Sequence, residues 1–286
     1  MNSQSSAVNS FSAASAAQGI VPGTDLRQAA MFWLAQPLAR PKADGVRELR
    51  GSWLRGELSL DATALIAGAE NIPGRPDKPE LVAPLDVKRR AMNTVEGRAA
   101  LIHALAHIEF NAINLALDAV WRFPGMPLEY YSDWLQVAQE EAYHFSLLAD
   151  HLVSLGFQYG DFSAHNSLWE LTERTAGDVL ARMALVPRTM EARGLDATPS
   201  VRAKLAQAGD IAAAEILDII LRDEIGHVGI GNRWFAYLCK QRALEPLAAY
   251  DTLAKQYRAP KMRAPFNLEA RRAAGFSEQE LIALQN

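Results

Sequence analysis

Six residues in this chain combine a type and a spacing that could hold metal. Glu109 stands alone, Glu141 and His144 form an E-A-Y-H run, Glu191 again stands alone, and Glu224 and His227 form an E-I-G-H run. Spacing of i, i+3 puts the carboxylate and imidazole of each pair on one helix face, about one turn apart. About 32 residues separate Glu109 from Glu141 and about 33 separate Glu191 from Glu224, close to one long helix, a turn and part of the next. The order Glu, Glu-x-x-His, Glu, Glu-x-x-His therefore implies two similar helical hairpins, although no repeat is visible as sequence identity. Two divalent cations shared by this set would balance four carboxylates, and two neutral imidazoles would complete the coordination.

One Glu from each of two helices plus a Glu-x-x-His from each of two others is the ligand set of ferritin-like carboxylate-bridged di-metal proteins. With 6 His in the chain, roughly 0.4 Glu-x-x-His matches arise by chance, so one alone says little and two at matched separations say more. The bland alternative is a bundle whose acids lie on wet faces. Periodicity opposes it: Ile102, Leu105, Ala106, Ile113 and Ala116 share the stripe of Glu109, and Leu217, Ile220, Leu221 and Val228 share that of Glu224. Carboxylates on such core faces without counter-charge would cost on the order of several kcal/mol each. By topology, Glu141 and Glu224 are expected to bridge, with Glu109 and His144 completing one ion and Glu191 and His227 the other.

An acid precedes each Glu-x-x-His, giving Glu140 and Asp223. Either they face solvent, or an acid from one helix holds the ring N–H of the facing helix's histidine. His103 and His107 form an i, i+4 pair for which a hydrogen-bonded structural role is favoured over ligation. His151 reads as a polar partner in the core, Tyr143 as a packing residue, and Trp121, Trp134, Trp169 and Trp234 as fillers at the bundle edge.

The elements that must position these residues can be traced from caps and breakers. Residues 1–23, rich in Ser, Ala, Asn and Gln, read as a disordered tail without the basic and apolar regions of a secretory signal. Residues 24–92 read as short helices and a Pro-rich connector packed on the bundle: Thr24 caps a helix ending before Pro37, a second runs from Val46 to Leu58, and the prolines of 71–87 keep the chain extended. Residues 93–242 would form the di-metal four-helix bundle. Its first helix is capped by Asn93 or Thr94 and stopped by Pro124, and its second runs from Leu128 to Leu155, stopped by Gly156. A crossover of about ten residues, spanning roughly 33 Å when extended, leads to a third helix. That helix runs from about Ser167 to Arg193, ends at Gly194 and kinks at Pro187. Thr198 and Pro199 signal the start of the fourth, which breaks near Gly209 and resumes to about Gln241. Residues 243–286 form a C-terminal extension, with a capping box at Ser277 and Glu280. The fold class is all-α, a ferritin-like four-helix bundle with additional N- and C-terminal helices.

A length of 286 residues with 49% hydrophobic content allows a sizeable core, and a net charge of -4 gives no support for wrapping nucleic acid. The single cysteine, Cys239, excludes a disulfide framework and Cys-x-x-Cys metal sites, and suits a reducing cytoplasm. No uninterrupted apolar stretch reaches about 18 residues, so no membrane span is expected.

The segments TVEGRAALIHALAHIEFNAINLALD, EEAYHFSLLADHL, EARGLD and LRDEIGHVGIGNRWF resemble those of a bacterial family of uncharacterised ferritin-like domain proteins, a domain of unknown function. The resemblance covers about residues 70–275. It implies a ferritin-like fold and a centre of two iron ions, two manganese ions or a mixed pair. The ligand pattern is also similar to that of a di-iron tRNA hydroxylase, an analogy of metal chemistry only.

Three functions follow in order of preference. The first is an oxygen-dependent oxidoreductase, monooxygenase-like, that takes dioxygen, an external electron donor and a small-molecule or nucleoside substrate. The second is a ferroxidase or iron-handling protein, against which stand about 90 residues before the first bundle helix that would obstruct cage packing. The third is a non-redox metal-binding structural bundle. A homodimer is the base-rate expectation.

Overall fold

In a computed structural model the described residues are 23–88 and 90–285. The tail expected over residues 1–23 lies outside them except for Gly23, whose N–H donates to the Glu57 carbonyl at 2.8 Å. The described chain is all-helical, and its only β pairings are two isolated bridges, Asp25 with Ser59 and Leu81 with Ala164.

Two short helices come first, α1 (Leu26–Ala35) and α2 (Ala39–Leu54). The cap of α1 is Asp25 rather than Thr24: its Oδ1 accepts from the backbone N–H of Arg27 at 2.9 Å and Gln28 at 3.1 Å. Helix α2 starts seven residues before the expected Val46, because Pro41 sits in its first turn, where its missing N–H costs no intrahelical bond. It also stops earlier than Leu58, at Leu54, before Gly56 in the left-handed region at φ 71°. The Pro-rich connector contains no helix and lies on the bundle: the Gly74 carbonyl accepts from Lys42 Nζ at 2.9 Å, and Arg75 donates to Asn166 Oδ1 at 2.6 Å.

Helices α3 (Val95–Arg122) and α4 (Leu128–Ser154) pack as the first hairpin, with α1 against α3 and α2 against α4. Thr94 caps α3 by accepting from Gly97 N–H at 3.0 Å. By length and composition α3 is apolar enough to cross a membrane, but 72% of its apolar window is buried inside the protein. Its hydrophobicity is that of a central bundle helix.

The second hairpin differs from the expected one. A single third helix is replaced by α5 (Ser167–Arg174), α6 (Val179–Leu185), a π turn (Val186–Glu191) and α7 (Ala192–Gln207). Arg182 makes the first break by taking the Thr172 carbonyl at 2.7 Å and the Thr175 hydroxyl at 2.9 Å, while Asp178 caps α6 through Leu180 N–H at 3.0 Å. Helix α7 does not end at Gly194, nor does Thr198 begin a new helix; the chain stays helical through Pro199. Pro199 cannot donate to the Leu195 carbonyl four residues back, and Asn267 Nδ2 does so instead at 3.2 Å. The true break comes at Gly209, φ 82°, after which Asp210 caps α8 (Ile211–Gln241) through Ala213 N–H at 3.1 Å. Helix α8 packs on α4, α6, the π turn and α7. Three further helices, α9 (Pro246–Gln256), α10 (Leu268–Ala273) and α11 (Glu278–Gln285), follow. The box before α11 forms, with Ser277 N–H donating to Glu280 Oε2 at 2.8 Å and Glu280 N–H to Ser277 Oγ at 3.3 Å.

Candidate metal centre

Four elements position the six residues: Glu109 from α3, Glu141 and His144 from α4, Glu191 from the last position of the π turn, and Glu224 and His227 from α8. Glu141, His144 and His227 have no exposed surface, whereas Glu109 keeps 4%, Glu191 8% and Glu224 8%. All six are therefore buried, with Glu141 and the two rings the most completely enclosed.

Donor atoms of Glu109, Glu141, His144 and Glu224 all lie within 4.8 Å of one another. His144 Nδ1 is 3.3 Å from Glu141 Oε2 and 3.5 Å from Glu109 Oε2. His227 Nδ1 is 3.0 Å from Glu141 Oε1 and 3.8 Å from Glu224 Oε2. Glu141 thus turns one oxygen to each ring, a central place that spacing alone did not assign. Glu191 feels the charges of Glu224, Glu141 and His227, in that order, but no direct pair with His227 of the kind topology suggested is formed.

The far sides of both rings are held by the acids that precede the two motifs, and the pattern is crossed. His144 Nε2–H, from α4, donates to Asp223 Oδ2 on α8 at 3.1 Å; His227 Nε2–H, from α8, donates to Glu140 Oε2 on α4 at 2.8 Å. Arg222 Nε donates to Asp223 Oδ1 at 2.8 Å, and Gln136 Nε2 to Glu140 Oε1 at 3.1 Å. With Nε2–H engaged in this way, the neutral tautomer of each ring presents the Nδ1 lone pair to the carboxylates.

Electrostatics follow from this crowding. Burial, and then the charge of Glu141, hold Glu109 and Glu224 above the usual carboxylate range; burial and then Glu224 do the same to Glu191. Burial opposes ionisation of Glu141 too, but the charge of His227 and the contact with His144 outweigh it and hold this carboxyl well below that range. Burial also opposes charging of the rings, yet Asp223, Glu109 and Glu141 raise His144, and Glu141 and Glu140 raise His227. Every member of the cluster competes for positive charge.

A divalent cation fits this demand. Glu109 Oε2, Glu141 Oε1, Glu191 Oε2, Glu224 Oε2 and His227 Nδ1 are buried without a hydrogen-bond partner. His227 Nδ1 and Glu141 Oε1 face one another at 3.0 Å, yet are not aligned as donor and acceptor. Among the described residues no lysine or arginine forms an ion pair with any of the four glutamates. Carboxylate oxygen with imidazole nitrogen is a donor set for iron, manganese or zinc.

The other candidates are used structurally. His103 Nε2 accepts from Gly160 N–H at 2.9 Å; His107 bonds the Tyr159 hydroxyl at 2.9 Å and the His165 carbonyl at 3.2 Å. Burial lowers both rings to about 4. His151 meets Asp210 at 2.9 Å at the start of α8, and Tyr143 lies under Arg47, 5.9 Å from its ring centre. Trp121, Trp134, Trp169 and Trp234 are buried.

The fold and site together define an all-α bundle with a buried Glu/His group at metal-binding distances. The chain belongs to the family described as "Protein of unknown function (DUF455)", which matches residues 35–282. It is 54% identical over 231 residues to an uncharacterised protein of Haemophilus influenzae, an alignment covering 78% of this chain and 80% of that one. No solved structure matches.

Proposed function

We propose that this protein is a ferritin-like di-metal oxidoreductase, holding two iron ions, two manganese ions or one of each, and oxidising a small-molecule or nucleoside substrate with dioxygen. The observation that carries the reading is the buried group of Glu109, Glu141, His144 and Glu224, whose donor atoms lie within 4.8 Å of one another among carboxylate oxygens without a hydrogen-bond partner. A protein that gained nothing from this arrangement would lose stability by keeping it.

Glu141 would be shared between the two ions, since its oxygens already divide between the two rings. Glu224, whose donor atom lies within 4.8 Å of those of Glu109, Glu141 and His144, would be shared as well, with Glu109 and His144 completing one ion and Glu191 and His227 the other. The chemistry such a pair supplies is electron transfer to dioxygen coupled to oxidation of a bound substrate. Asp223 and Glu140 keep the rings turned and increase their donor strength. Electrons come from an external donor, and the single buried cysteine, Cys239, suits a reducing cytoplasm.

The test is metal content by plasma mass spectrometry of protein purified without added metal, beside Glu141→Ala and Glu224→Ala. The expected result is about two iron or manganese ions per chain, lost in both variants. Native protein free of transition metal, with both variants as stable as wild type, overturns the proposal.

A further inference from the structure

The π turn that ends on Glu191 is the least self-sufficient element of the bundle. Turns with i→i+5 bonding are rare and occur mostly as single turns inside α-helices, frequently at functional sites. Pro187, within it, donates no backbone hydrogen bond, and its ring packs where Gly231 of α8 lacks a side chain: a Cβ on Gly231 would stand 2.5 Å from Pro187 Cβ. The Glu191 carboxylate itself has an orphaned Oε2, so its own bonds do not fix it.

The outside support comes from the C-terminal segment. Arg188, three residues before Glu191, pairs its buried guanidinium with Glu280 of α11 and donates to Asn232 Oδ1 at 2.5 Å. The same guanidinium lies 4.2 Å from the ring centre of Phe235 and 5.1 Å from that of Phe276. Asn232 in turn donates to the Ala274 carbonyl at 2.7 Å, just after α10. Beyond Glu191, Arg271 of α10 donates to the Ala192 carbonyl at 3.2 Å and to Asp196 Oδ2 at 2.6 Å, and Asn267 donates to the Leu195 carbonyl. Ties from residues 267–280 therefore flank Glu191 on both sides.

We infer that α10 and α11 form a strap that positions the Glu191 ligand, with Glu280 acting through Arg188 as its principal positioning residue. The inference deepens the di-metal reading and rests on it: Glu109, Glu141 and His144 sit on unbroken helices, whereas Glu191 reaches the cluster only while the strap holds the π turn. Loss of the strap should weaken the ion completed by Glu191 and His227 and spare the other.

Two readouts on the full-length chain test this. Cobalt(II) is titrated into chelator-treated protein, followed by its visible absorption, for wild type, Glu280→Gln and the control Glu278→Gln, which breaks only an exposed pair with Arg272. In parallel, hydrogen exchange is measured over residues 186–192. In Glu280→Gln one cobalt site should weaken roughly ten- to 100-fold while the other stays within about threefold. Exchange over 186–192 should accelerate by about tenfold or more, and Glu278→Gln should change neither. Asn267→Ala, which leaves no buried charge behind, should give the same pattern at smaller size and serves if Glu280→Gln does not fold. Unchanged exchange in both variants overturns the strap. Faster exchange with both cobalt sites weakened alike, or neither weakened, overturns the positioning role. Wild-type protein that takes up no cobalt while Glu280→Gln still loosens the π turn overturns the metal reading and, with it, a ligand role for Glu191.

Discussion

Replacing Glu191 by leucine should make the metal-free protein more stable and the metal-loaded protein less so, and that reversal separates a ligand from a structural acid. Glu191 is 8% exposed, with one carboxylate oxygen buried and unpartnered. Removing an unsatisfied buried polar atom in favour of an apolar group of similar volume recovers about 1–3 kcal/mol. At about 2–4 °C per kcal/mol this gives a rise in metal-free Tm of roughly 2–12 °C. With metal at a hundredfold excess over Kd, each bound ion stabilises wild type by about 2.7 kcal/mol, and the variant loses that contribution for the ion Glu191 holds. Thermal unfolding in chelator and in added manganese measures both arms. A control sharpens the contrast: Asp118 is fully buried but paired with Arg182 and Arg122, so Asp118→Leu should cost about 3–5 kcal/mol with or without metal. A fall in the chelated Tm of Glu191→Leu would refute the claim that this carboxylate is held against the stability of the fold.

Three further outcomes are expected. Asp223→Asn keeps the shape beside His144 Nε2 but removes the charge, and should weaken the ion on His144 by roughly ten- to 100-fold in a metal titration; unchanged affinity would reduce the crossed bonds to packing. Gly231→Ala forces a Cβ into Pro187 and should cost about 1–3 kcal/mol in urea unfolding, with an unshifted midpoint counting against the close approach. His103 has an unfolded value of 6.5 and a folded value near 4, because burial disfavours its charged form. A base lowered by folding contributes stability that is complete above 6.5 and lost as pH falls from 6.5 towards 4, by at most about 3 kcal/mol. His103→Gln should flatten that part of the stability profile, and a variant as acid-sensitive as wild type between those limits would show that another group is responsible.

The helices whose limits lie in local chemistry were legible. Thr94, Gly156 and the Ser277–Glu280 box mark ends through their own side chains or φ angles, and the first hairpin follows from them. The second hairpin was not, because distant partners override its local signals. Pro199 and Gly194 look like terminators, but Asn267, some seventy residues on, occupies the carbonyl that Pro199 abandons. Conversely, Ser167–Arg193 looks continuous, but Arg182 turns back on Thr172 and Thr175 and opens it. Gly177 followed by Asp178 was the readable signal of that break, a stop and a cap in succession. In the site, spacing selected the six residues and the two outer acids; it could not find that Glu141 faces both rings, since that depends on how α4 and α8 are rotated against each other.

What distinguishes the cluster from the rest of the polar interior is the source of its counter-charge. Elsewhere this chain buries charged groups and meets them with its own acids or oxygen acceptors. Arg182 meets Asp118, Arg271 meets Asp196, Arg188 meets Glu280, and Lys42 finds the Leu34 and Gly74 carbonyls and Asn114 Oδ1. Those pairs lie where the broken helices, the N-terminal pair and the C-terminal strap join the bundle, and each holds one element to another. At the centre the pattern fails: four carboxylates converge with two rings whose outer N–H groups are already committed to Asp223 and Glu140. A fold able to place an arginine against a buried acid at three junctions places none here. The absence of an arginine or lysine is therefore a property of the site and not of a chain short of cations, and it leaves the place that a bound cation would take.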